Sequence, residues 1–400
     1  MRPSRIAAFF FLSVAPLVAL APLSASARTL DYPDGVNVMA SYFGRDRGNL
    51  PIGWDLMRRF PNIGTVRIEI EPDEGVALST MQAWIRGASA SGCRVIVTHH
   101  CYKDNGSDDP EAVQKAARWW RENYAELAKA GPFAINLINE WGSHDLTAEA
   151  FAAAYNRALP VIREFYDGPV IVDIPGWAQE TVTAAKASPL IKDDNIVFSI
   201  HIYSSNYVVN GPHHWMQPQD LVEFAKVGRP VMIGEFGGMR EGGADWRALV
   251  AQAKARGGTV LAWAWKGDGE GMNMVWPQWG DNPAPEAYWP SPYFGDVYAF
   301  LGESVRPQLS LSVGGSGITL GSEASLFTYA VHSTGGWSVS TEPGADWIEW
   351  MNPSQGWGDS QVTFSVSENP SKEGRSAVVT IRCAGIVRKF TIHQNGAEAK

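Results

Sequence analysis

Cysteine is scarce in this 400-residue chain, which has three in all. Cys93 and Cys101 bracket the apolar run Val95-Ile96-Val97, which reads as a strand. Eight residues of strand would hold them roughly 26 Å apart, far beyond disulfide reach. Cys383 belongs to a stretch of different composition, so no disulfide is expected. Positive charge is also short: 33 Lys and Arg against 42 Asp and Glu leave a net charge of −9. That balance argues against nucleic acid and against anionic membrane surfaces as partners. Beyond residue 23 no apolar stretch is long enough to span a bilayer. No His-Glu-x-x-His occurs and no His-x-His opens the first strand, so the common metallohydrolase patterns are missing. Neither a catalytic metal nor any other cofactor is expected.

The N-terminus carries a different kind of signal. Arg2 and Arg5 precede an apolar stretch from Ile6 to about Leu23, which closes on Ala25-Ser26-Ala27. A charged region, an apolar region and an A-x-A-like site read as a secretory signal peptide cleaved near Ala27. Pro16 and Pro22 speak against a membrane anchor, and no cysteine follows for a lipid one. The mature chain is therefore expected outside the cytoplasm, as a monomer.

From there, apolar β-branched runs at 35–40, 65–70, 94–99, 134–139, 169–174, 196–201, 230–234 and 259–265 alternate with helical segments. The helical periods fall at 52–60, 79–91, 110–130, 147–166, 179–187, 218–226 and 245–256, with a last one at 293–301. Eight strands alternating with eight helices predict an α/β chain folded as a (β/α)8 barrel. Near Arg306-Pro307-Gln308 the helical period stops. Short alternating runs broken by Gly, Ser, Asn and Pro follow, which predicts a small antiparallel β-sandwich. The expected division is a signal peptide over 1–27, a catalytic barrel over 28–304 and a sandwich over 305–400.

Two glutamates give the barrel its chemistry. Glu140 closes the run Ala134-Ile135-Asn136-Leu137-Ile138-Asn139-Glu140, and Glu235 stands in Pro230-Val231-Met232-Ile233-Gly234-Glu235-Phe236-Gly237. A carboxylate where a buried parallel strand ends is delivered to the face at which such barrels do chemistry. Two carboxylates in one cleft are the minimum equipment of a glycoside hydrolase. The 17 tryptophans suit the same reading, because an indole offers an apolar face to a sugar ring and one N–H donor.

With these residues in place the barrel resembles glycoside hydrolase family 5, over roughly residues 35–302. The resemblance implies Glu140 as acid/base and Glu235 as nucleophile. It also implies supporting roles for Asn139, Arg67, His100, His201, Tyr203 and a strand-eight tryptophan. Trp263 and Trp265, two apart on a strand, are expected to share a face. Trp263 matches the subsite tryptophan of family cellulases, and Trp265 the second tryptophan of mannanase-like members. His99 is expected to pack in the barrel wall, opposite His100.

The runs through His201-Ile202-Tyr203 and through Ala262-Trp263-Ala264-Trp265-Lys266-Gly267 look most like the bacterial endo-β-1,4-mannanases. So does the segment Val172-Asp173-Ile174-Pro175-Gly176-Trp177-Ala178-Gln179, which brings Trp177 forward as a substrate contact. Asn139-Glu140-Trp141 departs from the usual Asn-Glu-Pro, which places Trp141 at the cleft. The residues from Gly336-Trp337-Ser338-Val339 to Ile392-His393-Gln394-Asn395-Gly396 resemble a BACON-type immunoglobulin-like module. The resemblances together imply a retaining hydrolase of β-1,4-linked polysaccharide. Mannan is the first expectation, glucan the alternative, and an inert carbohydrate-binding barrel the alternative of another class.

Overall fold

The computed structural model describes residues 32–41, 51–239, 242–269, 271–277, 288–302, 310–383 and 386–397. The proposed signal peptide and the expected domain boundary at 304/305 lie outside the described residues. Eight parallel strands close a barrel: β1 Gly35–Met39, β2 Thr65–Ile70, β3 Arg94–His99, β4 Ala134–Asn136, β5 Val170–Asp173, β6 Ile196–Ile202, β7 Val231–Phe236 and β8 Val260–Lys266. They are neighbours in chain order around the circle, with β8 returning to β1. Eight helices alternate with them: α1 Trp54–Met57, α2 Leu78–Ala90, α3 Pro110–Ala128, α4 Ala148–Arg163, α5 Thr181–Ala187, α6 Pro218–Phe224, α7 Trp246–Ala255 and α8 Pro292–Tyr298.

Local chemistry sets the helix ends. Asp109 accepts from the Glu111 N–H ahead of Pro110, Thr147 from the Ala150 N–H, and Asp245 from the N–H groups of Arg247 and Ala248. Gly257, at φ 75°, ends the segment after α7 in the left-handed conformation that glycine adopts without penalty.

Alternation along each strand sorts the barrel into two cores. On β2, Val66, Ile68 and Ile70 face the helices. Inside, Ile96, Ala134, Ile171, Val197, Met232 and Leu261 form a separate apolar layer with Tyr32 packed against it. One step further toward the C-terminal strand ends, the inward positions turn polar: Asn37, Arg67, Asn136, Asp173, Ser199 and His201, all fully buried. The apolar layer closes one end of the barrel, and the polar layer floors a cleft at the other.

Residues 311–394 form two facing sheets. One has the order β9 (Leu311–Val313), β11 (Ser325–Ser333), β15 (Ser360–Val366), β13 (Ile348–Asn352). The other runs β10 (Gly317–Leu320), β17 (Ile386–Gln394), β16 (Arg375–Cys383), β12 (Gly336–Thr341), β14 (Gln355–Trp357). Every pairing is antiparallel except β10 with β17, which is parallel, so the sandwich is mixed rather than purely antiparallel. Its core includes Trp337, Val362, Phe364 and Phe390, with Tyr329 stacked on Phe390 at 3.9 Å. Trp347 is partly buried beneath the Arg375 guanidinium, Trp350 is exposed, and the Trp357 side chain lies outside the described residues.

Candidate active site

Both glutamates reach the cleft through departures from regular strand geometry. β4 pairs only as far as Asn136, shorter than its apolar run suggests. Glu140 follows in a turn with φ 46°, a left-handed conformation uncommon for a residue with a side chain. That turn is pinned from both sides. The Glu140 N–H donates to Asp173 Oδ2 at 3.0 Å, and its carbonyl accepts from the Gly106 N–H at 2.7 Å.

On β7, plain alternation from inward Met232 would put Gly234 inward and Glu235 outward. A bulge intervenes: Ile200 pairs with Ile233, but the next residue, His201, pairs with Glu235. The extra residue is Gly234, whose carbonyl accepts from Asn37 Nδ2 at 3.0 Å. A Cβ there would overlap the Ser199 hydroxyl, so the close approach needs glycine. The bulge re-aims Glu235 into the cleft and sends Phe236 into the outer core.

The two carboxyl groups meet across His201. One oxygen from each, with an imidazole nitrogen, falls within 4.8 Å of the others. His201 Nδ1 lies 2.7 Å from Glu140 Oε1 and 3.4 Å from Glu235 Oε1. Arg67 Nη1 donates to Glu235 Oε1 at 2.8 Å, and the Tyr203 hydroxyl donates to Oε2 at 2.5 Å. The rest of the Arg67 fork is engaged by Asn136, Asn37, Glu69 and Asn139. The last of these bonds, to Asn139 Oδ1 at 2.6 Å, turns the Asn139 amide nitrogen away from Arg67.

Environment separates the two acids. Burial alone would raise Glu235, but the charges of His201 and Arg67 and the Tyr203 hydrogen bond outweigh it and hold the carboxyl down to about 2. Burial raises Glu140, and the negative charges of Glu235 and Asp173 add to the effect against the opposing pull of His201. Two neighbouring carboxyl groups driven in opposite directions are equipped to supply one proton donor and one ionised nucleophile at the same pH.

The remaining expected residues divide. His100 is buried at the cleft, its Nδ1 2.9 Å from Glu71 Oε2 and its Nε2 3.5 Å from Asn105 Nδ2. Trp263 lines the cleft, its Nε1 donating to Asp268 Oδ1 at 2.9 Å. Trp177 is 38% exposed, tilted against His144 and packed over Gly106, next to Asn105. His99 sits in the barrel wall edge-on to Trp119, where burial lowers its pKa to about 4.

Two tryptophans are not where the pattern puts them. Trp265 does not share a face with Trp263: it is fully buried in the outer core beside Phe60, bonded to the Ile52 carbonyl. The cause is an irregularity near the end of β8, where Val36 to Val38 on β1 spans Ala262 to Lys266. Trp141 is also fully buried. It stacks on Phe151, meets Tyr155 edge-on and donates to the Asp109 carbonyl, so it shapes the support beneath the cleft rather than the cleft itself.

Several residues of the site are absent from the sequence reading. Glu69 was legible, since it lies two residues beyond Arg67 on the same face of β2. Asp173, two beyond inward Ile171, carried the same signal. Asn105, whose Nδ2 donates to Glu140 Oε2 at 3.3 Å, lies in a loop with no periodicity to reveal it. Glu140, His201 and Glu235 could in principle ligate a cation, but the donor set does not suit one. Both Glu235 oxygens already accept from Arg67 and Tyr203, and the resident guanidinium would oppose a second positive charge.

Comparison with known proteins places this site in context. Residues 50–269, more than half of the chain, match the family model for cellulase, glycosyl hydrolase family 5. Residues 337–395 match the BACON model, described as an N-terminal binding domain. A mannan endo-1,4-β-mannosidase of Streptomyces lividans is 26% identical over 285 residues, covering 68% of this chain and 70% of its own. One from Salipaludibacillus agaradhaerens is 28% identical over 191 residues, 44% of this chain and 58% of its own. The solved catalytic domain of a mannanase from Streptomyces sp. SirexAA-E superposes with a TM-score of 0.53 at 20% identity, covering 73% of this chain and 98% of that one. That last likeness is one of fold.

Proposed function

The chain belongs to glycosyl hydrolase family 5, and from that premise we propose that it is a retaining endo-β-1,4-mannanase. The observation that carries the mechanism is the separation of the two acids. With one Glu140 oxygen within 4.8 Å of one Glu235 oxygen, the gap suits attack by a carboxylate and leaves no room for a water between the sugar and Glu235.

In this reading Glu235 attacks the anomeric carbon while Glu140 delivers its proton to the departing glycosidic oxygen. The product is a glycosyl ester on Glu235 and a free chain end. Glu140, now a carboxylate, takes a proton from water, and the resulting hydroxide equivalent cleaves the ester and restores Glu235. Arg67 and Tyr203 keep the nucleophile ionised. Asn139, its oxygen held by Arg67, turns its amide toward a sugar hydroxyl, and Trp263 presents an indole to the ring.

Mannan is favoured because both relatives bear that activity, one of them across two thirds of this chain. A β-1,4-glucan is the second reading, supported by the cellulase name of the family model. Export after cleavage near Ala27 completes the proposal, since polymeric substrate lies outside the cell. Reducing-sugar release from β-mannan, carboxymethyl-cellulose and xylan tests it. Cleavage of mannan is expected, cleavage of the cellulosic polymer alone would move the substrate to glucan, and silence on all three would overturn the reading.

A further inference from the structure

We infer that Glu69 is a further recognition residue of the cleft: its Oε2 and Nε2 of His100 together hold one hydroxyl of the sugar lying against Glu235. The inference rests on the hydrolase reading above.

Glu69 stands on β2, two residues past Arg67, and both side chains point into the barrel. Arg67 Nη1 donates to Glu69 Oε1 and to Glu235 Oε1, each at 2.8 Å, so one nitrogen serves two carboxyl groups. That accounts for one Glu69 oxygen. The other, Oε2, is buried without a hydrogen-bond partner among the described residues, in a residue only 1% exposed that lines the cleft. A buried polar atom left unsatisfied is costly unless something arrives to bond it.

The geometry suggests what arrives. His100 Nε2 is 3.9 Å from Glu69 Oε2, too far for a direct hydrogen bond. One hydroxyl oxygen placed about 2.8 Å from each atom fits that gap. His100 is aimed for the purpose, its Nδ1 held by Glu71 at 2.9 Å. The cleft wall includes Gly267 and Gly269, and a Cβ on Gly269 would meet nothing within 4 Å, so the wall is open there.

A merely structural role explains Glu69 less well. An ionised third carboxyl on an arginine nitrogen the nucleophile already uses would be electrostatically unfavourable. Burial and the neighbouring Glu235 charge push its pKa well above the ordinary range. That direction favours the neutral carboxyl form, which can both donate to and accept from a sugar hydroxyl.

The test compares the full chain with Glu69→Ala, Glu69→Met, Glu69→Gln, His100→Ala and the Glu69→Ala/His100→Ala double variant. The substrate is whichever of β-mannan and carboxymethyl-cellulose the wild type cleaves. Glu69→Met keeps the side-chain volume while removing both oxygens, so it carries the same expectation if the alanine variant folds poorly. Losing either partner should lower kcat/KM by about 10- to 100-fold, as when a site built for a hydroxyl loses half of its grip. The double variant should fall no further than the worse single, because the two contacts share one hydroxyl. Glu69→Gln, which can still donate and accept, should stay within about threefold of wild type.

Alanine and methionine variants within about twofold of wild type would overturn the inference. So would independent, additive losses in the double variant, or a glutamine variant as impaired as alanine. A wild-type chain that cleaves neither polymer would instead overturn the hydrolase reading, and this inference with it.

Discussion

The His201 imidazole stands 2.7 Å from Glu140, close enough for the two groups to share a single proton. Both are raised. Glu140 is lifted by burial, and His201, which burial alone would lower, by the carboxylates of Glu235, Asp173 and Glu140. The proton is better assigned to the pair than to either member. Part of what raises Glu140 is the charge on Glu235, so esterification of Glu235 withdraws that contribution. Glu140 then becomes a stronger acid and stands more readily as the carboxylate at the step where it must act as a base, with no movement of the backbone.

The pH profile should carry this arrangement. Hydrolysis needs Glu235 ionised and the Glu140–His201 proton in place. The acid limb of kcat/KM is therefore expected as pH falls toward about 2, where Glu235 takes up its proton. The alkaline limb falls where the pair gives up its proton, above the ordinary carboxyl range. Glu235 also links stability to pH in the usual direction for a depressed acid. Its contribution is full above its unfolded pKa and lost as pH falls through the folded one. His201 is the largest influence holding Glu235 down, so His201→Gln should move the acid limb upward. An unmoved acid limb in that variant would refute the account.

Removing the carboxylates separates their roles. Glu235→Ala should reduce kcat by on the order of 10⁴-fold or more, with circular dichroism and melting cooperativity unchanged. Glu140→Ala should be nearly as poor on polysaccharide yet recover the first step on aryl glycosides whose leaving group needs no proton. Equal impairment of the Glu140 variant on both substrate types would exclude it as the acid.

Gly234→Ala addresses the bulge. The added methyl meets the Ser199 hydroxyl and must be accommodated where Asn37 grips the neighbouring carbonyl. We expect a loss of about 1–3 kcal/mol in stability, as for other overpacked interiors. A larger proportional loss in kcat should accompany it, because Glu235 depends on the bulge for its direction. Chemical denaturation alongside steady-state kinetics measures both. Retention of full kcat in a destabilised variant would show that Glu235 keeps its aim without Gly234.

How much of this could be read beforehand follows from periodicity. The barrel was legible because each strand carries a short β-branched run and each intervening segment a helical period. Arg67 was legible as an inward side chain for the same reason, and Glu69 should have been. The facing of Glu235 and of Trp265 is not set by periodicity. Each lies beside a bulge that reverses the facing of the residues after it, and nothing in a pattern of hydrophobicity records a bulge. Trp141 fails differently. Its neighbour Glu140 turns through a left-handed φ, so adjacent residues leave in directions that strand alternation does not describe.

That difference makes Trp141 and Trp263 a controlled pair. Trp141 is enclosed by Phe151 and Tyr155, without exposure to the cleft. Trp141→Ala should open a cavity costing about 3–5 kcal/mol of stability, with KM nearly unchanged at temperatures where the variant remains folded. Trp263 lines the cleft, where its ring is available to a sugar. Trp263→Ala should raise KM several-fold, and more for longer oligosaccharides if they stack across that ring. Melting curves and KM measured on the same preparations distinguish the two. A raised KM for Trp141→Ala at full folding would return that residue to the cleft and contradict the burial described here.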